Sequence, residues 1–216
     1  MMPAEALTSF VAVLEWFSVA VFAVTGALVA SRKQMDIVGF ALLGTVTGIG
    51  GGTVRDVLLG RLPVFWVFEP AYVVVCVLVS SLIFFTAHIM HSRFRVLLWF
   101  DALGLALVAV IGAERGLASG AGPIVAILMG VITGVAGGII RDILGGESPL
   151  ILRREIYITA AFATAALFIG LLAAGVPRDA ALLSSVAFGF VTRGLAIHYG
   201  WSLPAYRSRP GRKAGE

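Results

Sequence analysis

Two Arg-Asp pairs, Arg55-Asp56 and Arg141-Asp142, and two further acids, Glu15 and Asp101, stand inside otherwise apolar stretches of this chain. A glycine cluster precedes each pair: Gly48, Gly50, Gly51 and Gly52 before the first, Gly134, Gly137 and Gly138 before the second. A threonine, Thr47 or Thr133, stands just ahead of each cluster. Guanidinium and carboxylate groups attract or repel ions, and hydroxyls or free carbonyls can coordinate them, so the chemistry on offer is the handling of ions. No nucleophile elbow, Walker loop, zinc-protease helix or clustered histidine set accompanies them. We therefore expect no enzyme, no metal site and no cofactor. The Gly-Ile-Gly-Gly-Gly run at 48–52 has no strand before it, so it is not read as a dinucleotide loop.

The two sets are one phrase written twice. Residues 44–63 align with 130–149, and 10 of the 20 positions are identical: Gly44, Thr47, Gly48, Gly51, Gly52, Arg55, Asp56, Leu58, Gly60 and Pro63. The same offset continues without a gap, placing Glu15 on Asp101, Glu69 on Glu155, and residues 22–27 on 108–113.

The elements that carry these residues follow from composition. The chain has 216 residues, 59% hydrophobic and 13% charged; soluble domains carry about 25% charged residues. Apolar stretches run over 10–31, 37–60, 70–88, 96–113, 120–145, 156–176 and 180–200. A membrane-spanning helix needs about 20 such residues, so the chain is expected to be an all-α integral membrane protein of seven transmembrane helices. The stretches lack the period-2 alternation of barrel strands. The first is no signal peptide, because no Lys or Arg precedes it and Glu15 interrupts it. The one cysteine, Cys76, excludes an intramolecular disulfide and reads as a small buried residue.

The repeat unit is three helices, covering about 10–88 and 96–174, with a seventh helix at about 180–200 outside it. Three is odd, so the second copy enters the bilayer from the opposite face, and the halves form inverted repeats. No linker separates them, so a single domain over 1–216 is expected. Loops one, three and five and the C-terminus share a side. That side carries ten basic residues (Arg32, Lys33, Arg93, Arg95, Arg153, Arg154, Arg207, Arg209, Arg212, Lys213) against three on the other (Arg61, Arg115, Arg178). The positive-inside rule puts the C-terminus in the cytoplasm and the N-terminus outside. The net charge of +4 is thus a topology signal and no sign of nucleic acid.

Two readings of the glycines stay open: close helix packing, or a kink or unwound turn whose carbonyls line a wet path. The Arg-Asp pairs also admit two. Adjacent residues on a helix face different ways, which favours reciprocal pairing across the repeats, Arg55 with Asp142 and Arg141 with Asp56. The alternative puts both pairs at helix ends near the headgroups. Glu15 and Asp101 are interfacial anchors or pore-mouth acids. Thr47 and Thr133 line a path or bond to their own backbone. Arg193, which has no repeat partner, snorkels or meets lipid phosphate. His88 and His91 are interfacial, and Trp66, Trp99 and Trp201 sit at segment ends as aromatic belts do.

Seven helices, two inverted triplets, and Gly-Gly-Gly-x-x-Arg-Asp echoed as Gly-Gly-x-x-Arg-Asp resemble the prokaryotic branch of the trimeric intracellular cation channel (TRIC) family, over residues 10–200. The resemblance implies a homotrimer with one pore per subunit, permeable to potassium and other monovalent cations such as sodium. It implies kinks at Gly50, Gly51 and Gly52 and at Gly137 and Gly138. It places Arg55, Asp56, Arg141 and Asp142 in or beside the pore, with Thr47 and Thr133 as candidate lining hydroxyls. The implied location is the bacterial inner membrane. Two departures stand out: Ala136 replaces Gly50 in the second copy, and the lysine-containing pore motif of animal members is not evident. A bacterial phospholipid is therefore the expected bound lipid. A rival reading is a secondary carrier for a small amino acid such as glycine, which inverted repeats fit equally well.

Overall fold

The computed structural model describes residues 4–152 and 156–204, with side chains from residue 11. Seven apolar helices form: α1 (Ala4–Arg32), α2 (Ile37–Leu58), α4 (Ala71–Thr86), α5 (Arg93–Ala118), α6 (Pro123–Leu144), α7 (Ile158–Ala173) and α8 (Arg178–Tyr199). A one-turn helix, α3 (Phe65–Phe68), fills the connection from α2 to α4, where the sequence suggested only a loop. Six of the seven are long and apolar enough to cross a bilayer, and α7 is a shorter apolar helix. The 22 residues of α2 rise about 33 Å at 1.5 Å each, enough for a hydrocarbon core of about 30 Å. No strand forms among the described residues. Arg153, Arg154, Glu155 and the basic tail from Arg207 to Lys213 lie outside the described residues.

Local signals set several helix starts. Asp36 caps α2 by accepting the Gly39 N–H at 2.8 Å, and Ser92 caps α5. Pro123 opens α6, where its missing N–H costs nothing. Gly200 closes α8 in the left-handed conformation at φ 65°.

The packing follows the repeat. Helices α1, α2 and α4 pack on one another, and so do α5, α6 and α7. The two triplets meet through α1 against α5 and α2 against α6, and α8 lies on α5 and α7. Four helices, α1, α2, α5 and α6, thus form the centre. Large apolar side chains such as Leu42, Leu78, Phe85, Ile124, Phe162 and Phe188 are left exposed on the outer faces, as a protein solvated by lipid requires.

The glycines decide how close the central helices come. A Cβ on Gly51 would sit 2.2 Å from the Thr133 carbonyl oxygen, and one on Gly137 would sit 2.7 Å from that of Thr47. These contacts are the same contact read twice, because Gly51 aligns with Gly137 and Thr47 with Thr133. The within-repeat contacts match likewise: Gly26 faces Leu43 and Thr47, and Gly112 faces Met129 and Thr133. Both α2 and α6 stay helical through their clusters, so the unwound turn weighed for the glycines does not form. Close backbone approach explains the small residues, because without a Cβ two helices can meet carbonyl to Cα.

Candidate functional site

Arg55 and Arg141 each lie in the last turn of their helix, α2 and α6. Because the repeats are inverted, the two ends face opposite sides of the bundle. Each arginine folds back onto its own neighbour. Arg55 Nε donates to Asp56 Oδ1 at 2.9 Å, and Arg141 Nε donates to Asp142 Oδ1 at 2.8 Å. The expected exchange of partners across the repeats is therefore corrected. The arginine stem is long enough to reverse beside its own helix, which the rule for short i, i+1 pairs ignores.

The aspartates do a second job. Asp56 Oδ2 accepts the Phe65 N–H at 3.0 Å, and Asp142 Oδ2 accepts the Leu150 N–H at 2.9 Å. Each carboxylate thus ties the chain that follows back onto the helix end, using its two oxygens for two partners. Pro63 and Pro149 lie in those returning segments.

The matched acids complete the clusters. Arg55 lies 3.6 Å from Glu15, and Arg141 lies 2.8 Å from Asp101. The acid of the first helix in each repeat therefore meets the arginine of the second. Glu15 and Asp101 are ion-pair partners within the bundle, the first partly exposed and the second fully buried.

From here the halves differ. The first cluster opens to a cavity of about 390 Å³ lined by Glu15, Arg55, Asp56, Arg61, Glu69 and Arg115 among others. Arg115 of α5 crosses the repeats to donate to Glu15 Oε1 at 2.8 Å. A separate, smaller space of about 30 Å³ lies between Glu15, Ser18, Gly48, Gly52, Val108 and Thr133. Phe65 partly covers this end, its ring edge beneath Gly52 and its face 5.8 Å from the Arg55 guanidinium.

The second cluster is sealed. Arg141 and Asp101 side chains are 0% exposed. Arg141 Nη1 also donates to Thr25 Oγ1 at 3.0 Å. Tyr157 is 2% exposed, and its hydroxyl is 3.0 Å from where a Gly138 Cβ would sit. Asp101 Oδ2, Arg141 Nη2 and Tyr157 Oη have no hydrogen-bond partner among the described residues, an uncommon state for buried polar atoms.

The remaining candidates separate. Thr47 and Thr133 are buried and donate to the carbonyls of Leu43 and Met129 in their own helices, although Thr133 also borders the inner space. Arg193 is 1% exposed, so the snorkelling expected of it is corrected. It lies inside the bundle with its guanidinium 5.2 Å from the Tyr157 ring centre. Trp99 and Trp201 are exposed near helix ends, and Trp66 donates to Thr53 at 3.0 Å. His88 lies in the 3-10 turn after α4, and Cys76 is buried.

Site residues that the sequence reading missed are Thr25, Phe65, Tyr157 and Arg115, which it counted only as a loop charge although it lies within α5. Arg115 carried one overlooked signal: it aligns with Val29, so a charge had appeared in one repeat only.

Known proteins match over nearly all of this architecture. A family model described as "Glycine transporter" matches residues 12–88 and again 98–173. A UPF0126 membrane protein of Vibrio cholerae is 41% identical over 203 residues, covering 92% of this chain and 84% of the relative. The UPF0126 inner membrane protein YadS of Escherichia coli is 40% identical, covering 89% and 94%. The crystal structure of the TRIC trimeric intracellular cation channel orthologue from Rhodobacter sphaeroides superposes with a TM-score of 0.87 at 60% identity, covering 89% of this chain and all of that one. The chain belongs to the TRIC family, in its prokaryotic branch.

Proposed function

We propose that each subunit conducts monovalent cations, potassium among them, along a path between its inverted repeats. One observation carries this: the polar cavity at the Arg55 cluster and a small space beside Gly48 and Thr133, where α1, α2, α5 and α6 meet, share Glu15, Arg55 and Phe65 in their linings. The named lining balances three acids, Glu15, Asp56 and Glu69, against three arginines, Arg55, Arg61 and Arg115. Carboxylates paired locally with the arginines cancel a repulsion that bare guanidinium groups would impose on a cation. The sequence holds no carbonyl-ring filter, so discrimination among monovalent cations is weak in this reading.

The assembly in this reading is a homotrimer in the bacterial inner membrane, with the C-terminus cytoplasmic and the Arg55 cavity on the outer side. The orthologue's description as trimeric and the ten-to-three distribution of basic residues support it. Membrane phospholipid is the remaining partner.

The test is a bilayer recording from purified protein with potassium on both sides, beside glycine uptake into vesicles. Unitary potassium currents without glycine uptake are expected. Saturable glycine uptake with no unitary current would replace the channel by a carrier.

A further inference from the structure

We propose that Tyr157, held in place by Arg193 of α8, is the plug that closes the second mouth of the passage. This rests on the reading of a conducting path between the repeats. The inference starts from an inequality. Two clusters built from matching residues, Glu15-Arg55-Asp56 and Asp101-Arg141-Asp142, differ in access although Arg55 and Asp56 are themselves only 5% and 3% exposed. One lines a cavity of about 390 Å³, while in the other both Asp101 and Arg141 are fully buried.

The residues that differ between the halves explain the inequality. Position 157 aligns with Ala71 in the first repeat, and the next residue there, Tyr72, lines the open cavity without closing it. The buried Tyr157 hydroxyl stands 3.0 Å from the position of a Gly138 Cβ, and Arg141 Nη2 stands 3.6 Å from that same position. The tyrosine hydroxyl and the arginine of the second cluster therefore flank the same glycine.

The tyrosine is itself fixed from behind. Arg193 sets its guanidinium over the ring at 5.2 Å and directs Nη1 at the Ile156 carbonyl, 3.5 Å away. Helix α8 is firmly seated. A Cβ on Gly189 would lie 2.3 Å from Thr164 Oγ1 of α7, and one on Gly194 would lie 2.9 Å from the Trp99 ring of α5. The seventh helix has no repeat counterpart, so only the second mouth receives such a brace.

Beneath the ring, Asp101 Oδ2, Arg141 Nη2 and Tyr157 Oη lack partners among the described residues. These groups would be hydrated once the ring withdrew, which lowers the cost of opening. The closed arrangement is thus a poised one, with buried charge waiting for water.

Reagent accessibility tests the seal without any current. Thr25 is fully buried and touches Arg141, so Thr25→Cys reports on the cluster. The native Cys76 is buried too, and its background is measured in the parent. In vesicles, a methanethiosulfonate reagent added from the second-mouth side should modify Thr25→Cys slowly. Adding Arg193→Gln should raise the rate by about tenfold, the scale of one buried cation–π contact and one hydrogen bond lost together. Tyr157→Ala should raise it at least as much. Arg193→Lys keeps the charge but loses the planar stacking face, so it gives a smaller rise and serves if Arg193→Gln does not fold. In single-channel records the same variants should lengthen open times. Parent-level labelling rates in every variant that folds would overturn the plug. Absence of potassium current in the parent would instead overturn the conduction reading and leave the labelling result to judge the seal.

Discussion

Substituting Gly51 by alanine sets two effects of known sign against each other. In a helix interior alanine is favoured over glycine by about 1 kcal/mol, so an unobstructed site gains stability. Gly51 is obstructed: the new Cβ would lie 2.2 Å from the Thr133 carbonyl oxygen, more than an ångström inside ordinary contact. The obstacle is backbone and cannot rotate away, so α2 and α6 must part. Overpacking of this kind costs about 1–3 kcal/mol, and a rigid obstacle argues for the upper end. The net expectation is a loss of about 1–2 kcal/mol after the helix gain is subtracted. Gly137→Ala meets Thr47 at 2.7 Å and should lose less. Gly170 lies within α7 with no atom within 4 Å of its would-be Cβ, so Gly170→Ala should be neutral or stabilising. Thermal unfolding of the three variants in detergent measures the order directly. Gly51→Ala proving as stable as Gly170→Ala would refute the claim that this glycine sets the helix spacing.

Two further outcomes follow from the clusters. Removing one partner of a buried ion pair typically costs about 3–5 kcal/mol, so Arg141→Leu and Asp101→Asn should each destabilise the fold strongly. Their double-mutant cycle should show large coupling, while Arg141 with Asp56 should show none; coupling between Arg141 and Asp56 would revive the exchange of partners across the repeats. Glu15→Gln removes one negative charge from the open cavity and leaves Arg55 and Arg115 without that carboxylate. Potassium conductance should fall, more so at low ionic strength where screening is weak; equal conductance at all salt concentrations would show that Glu15 does not face the ion path.

Much of this arrangement was legible in the chain. The seven apolar stretches gave the helix count, and the gapless offset gave the inversion, since a repeat of three spans leaves no other topology. It also named both members of the Glu15–Arg55 and Asp101–Arg141 pairs without joining them, because sequence spacing says nothing about which neighbouring helix a side chain meets. The Arg-Asp pairing was misread for a local reason. Helical face rules describe where Cβ atoms point, and a guanidinium four torsions away is free of that restriction. The glycine clusters were ambiguous because the same residue type serves both a bend and a close crossing, and it is the facing carbonyls of Thr47 and Thr133 that show the close crossing. The sealed mouth was the least legible feature. It depends on Tyr157 and Arg193, one at a position where the repeats disagree and the other in a helix that belongs to neither copy.

The crossing at Gly51 and Gly137 has a consequence for how such a protein can arise. Its two sides are the same side, a glycine against a threonine carbonyl, used once in each direction. A polypeptide of half this length, inserted both ways up, would already own the complete interlocking surface and need invent no second one. Fusion of two such halves would then free each to drift, and Arg115 and Tyr157, which stand in the second half where the first has Val29 and Ala71, are marks of that liberty.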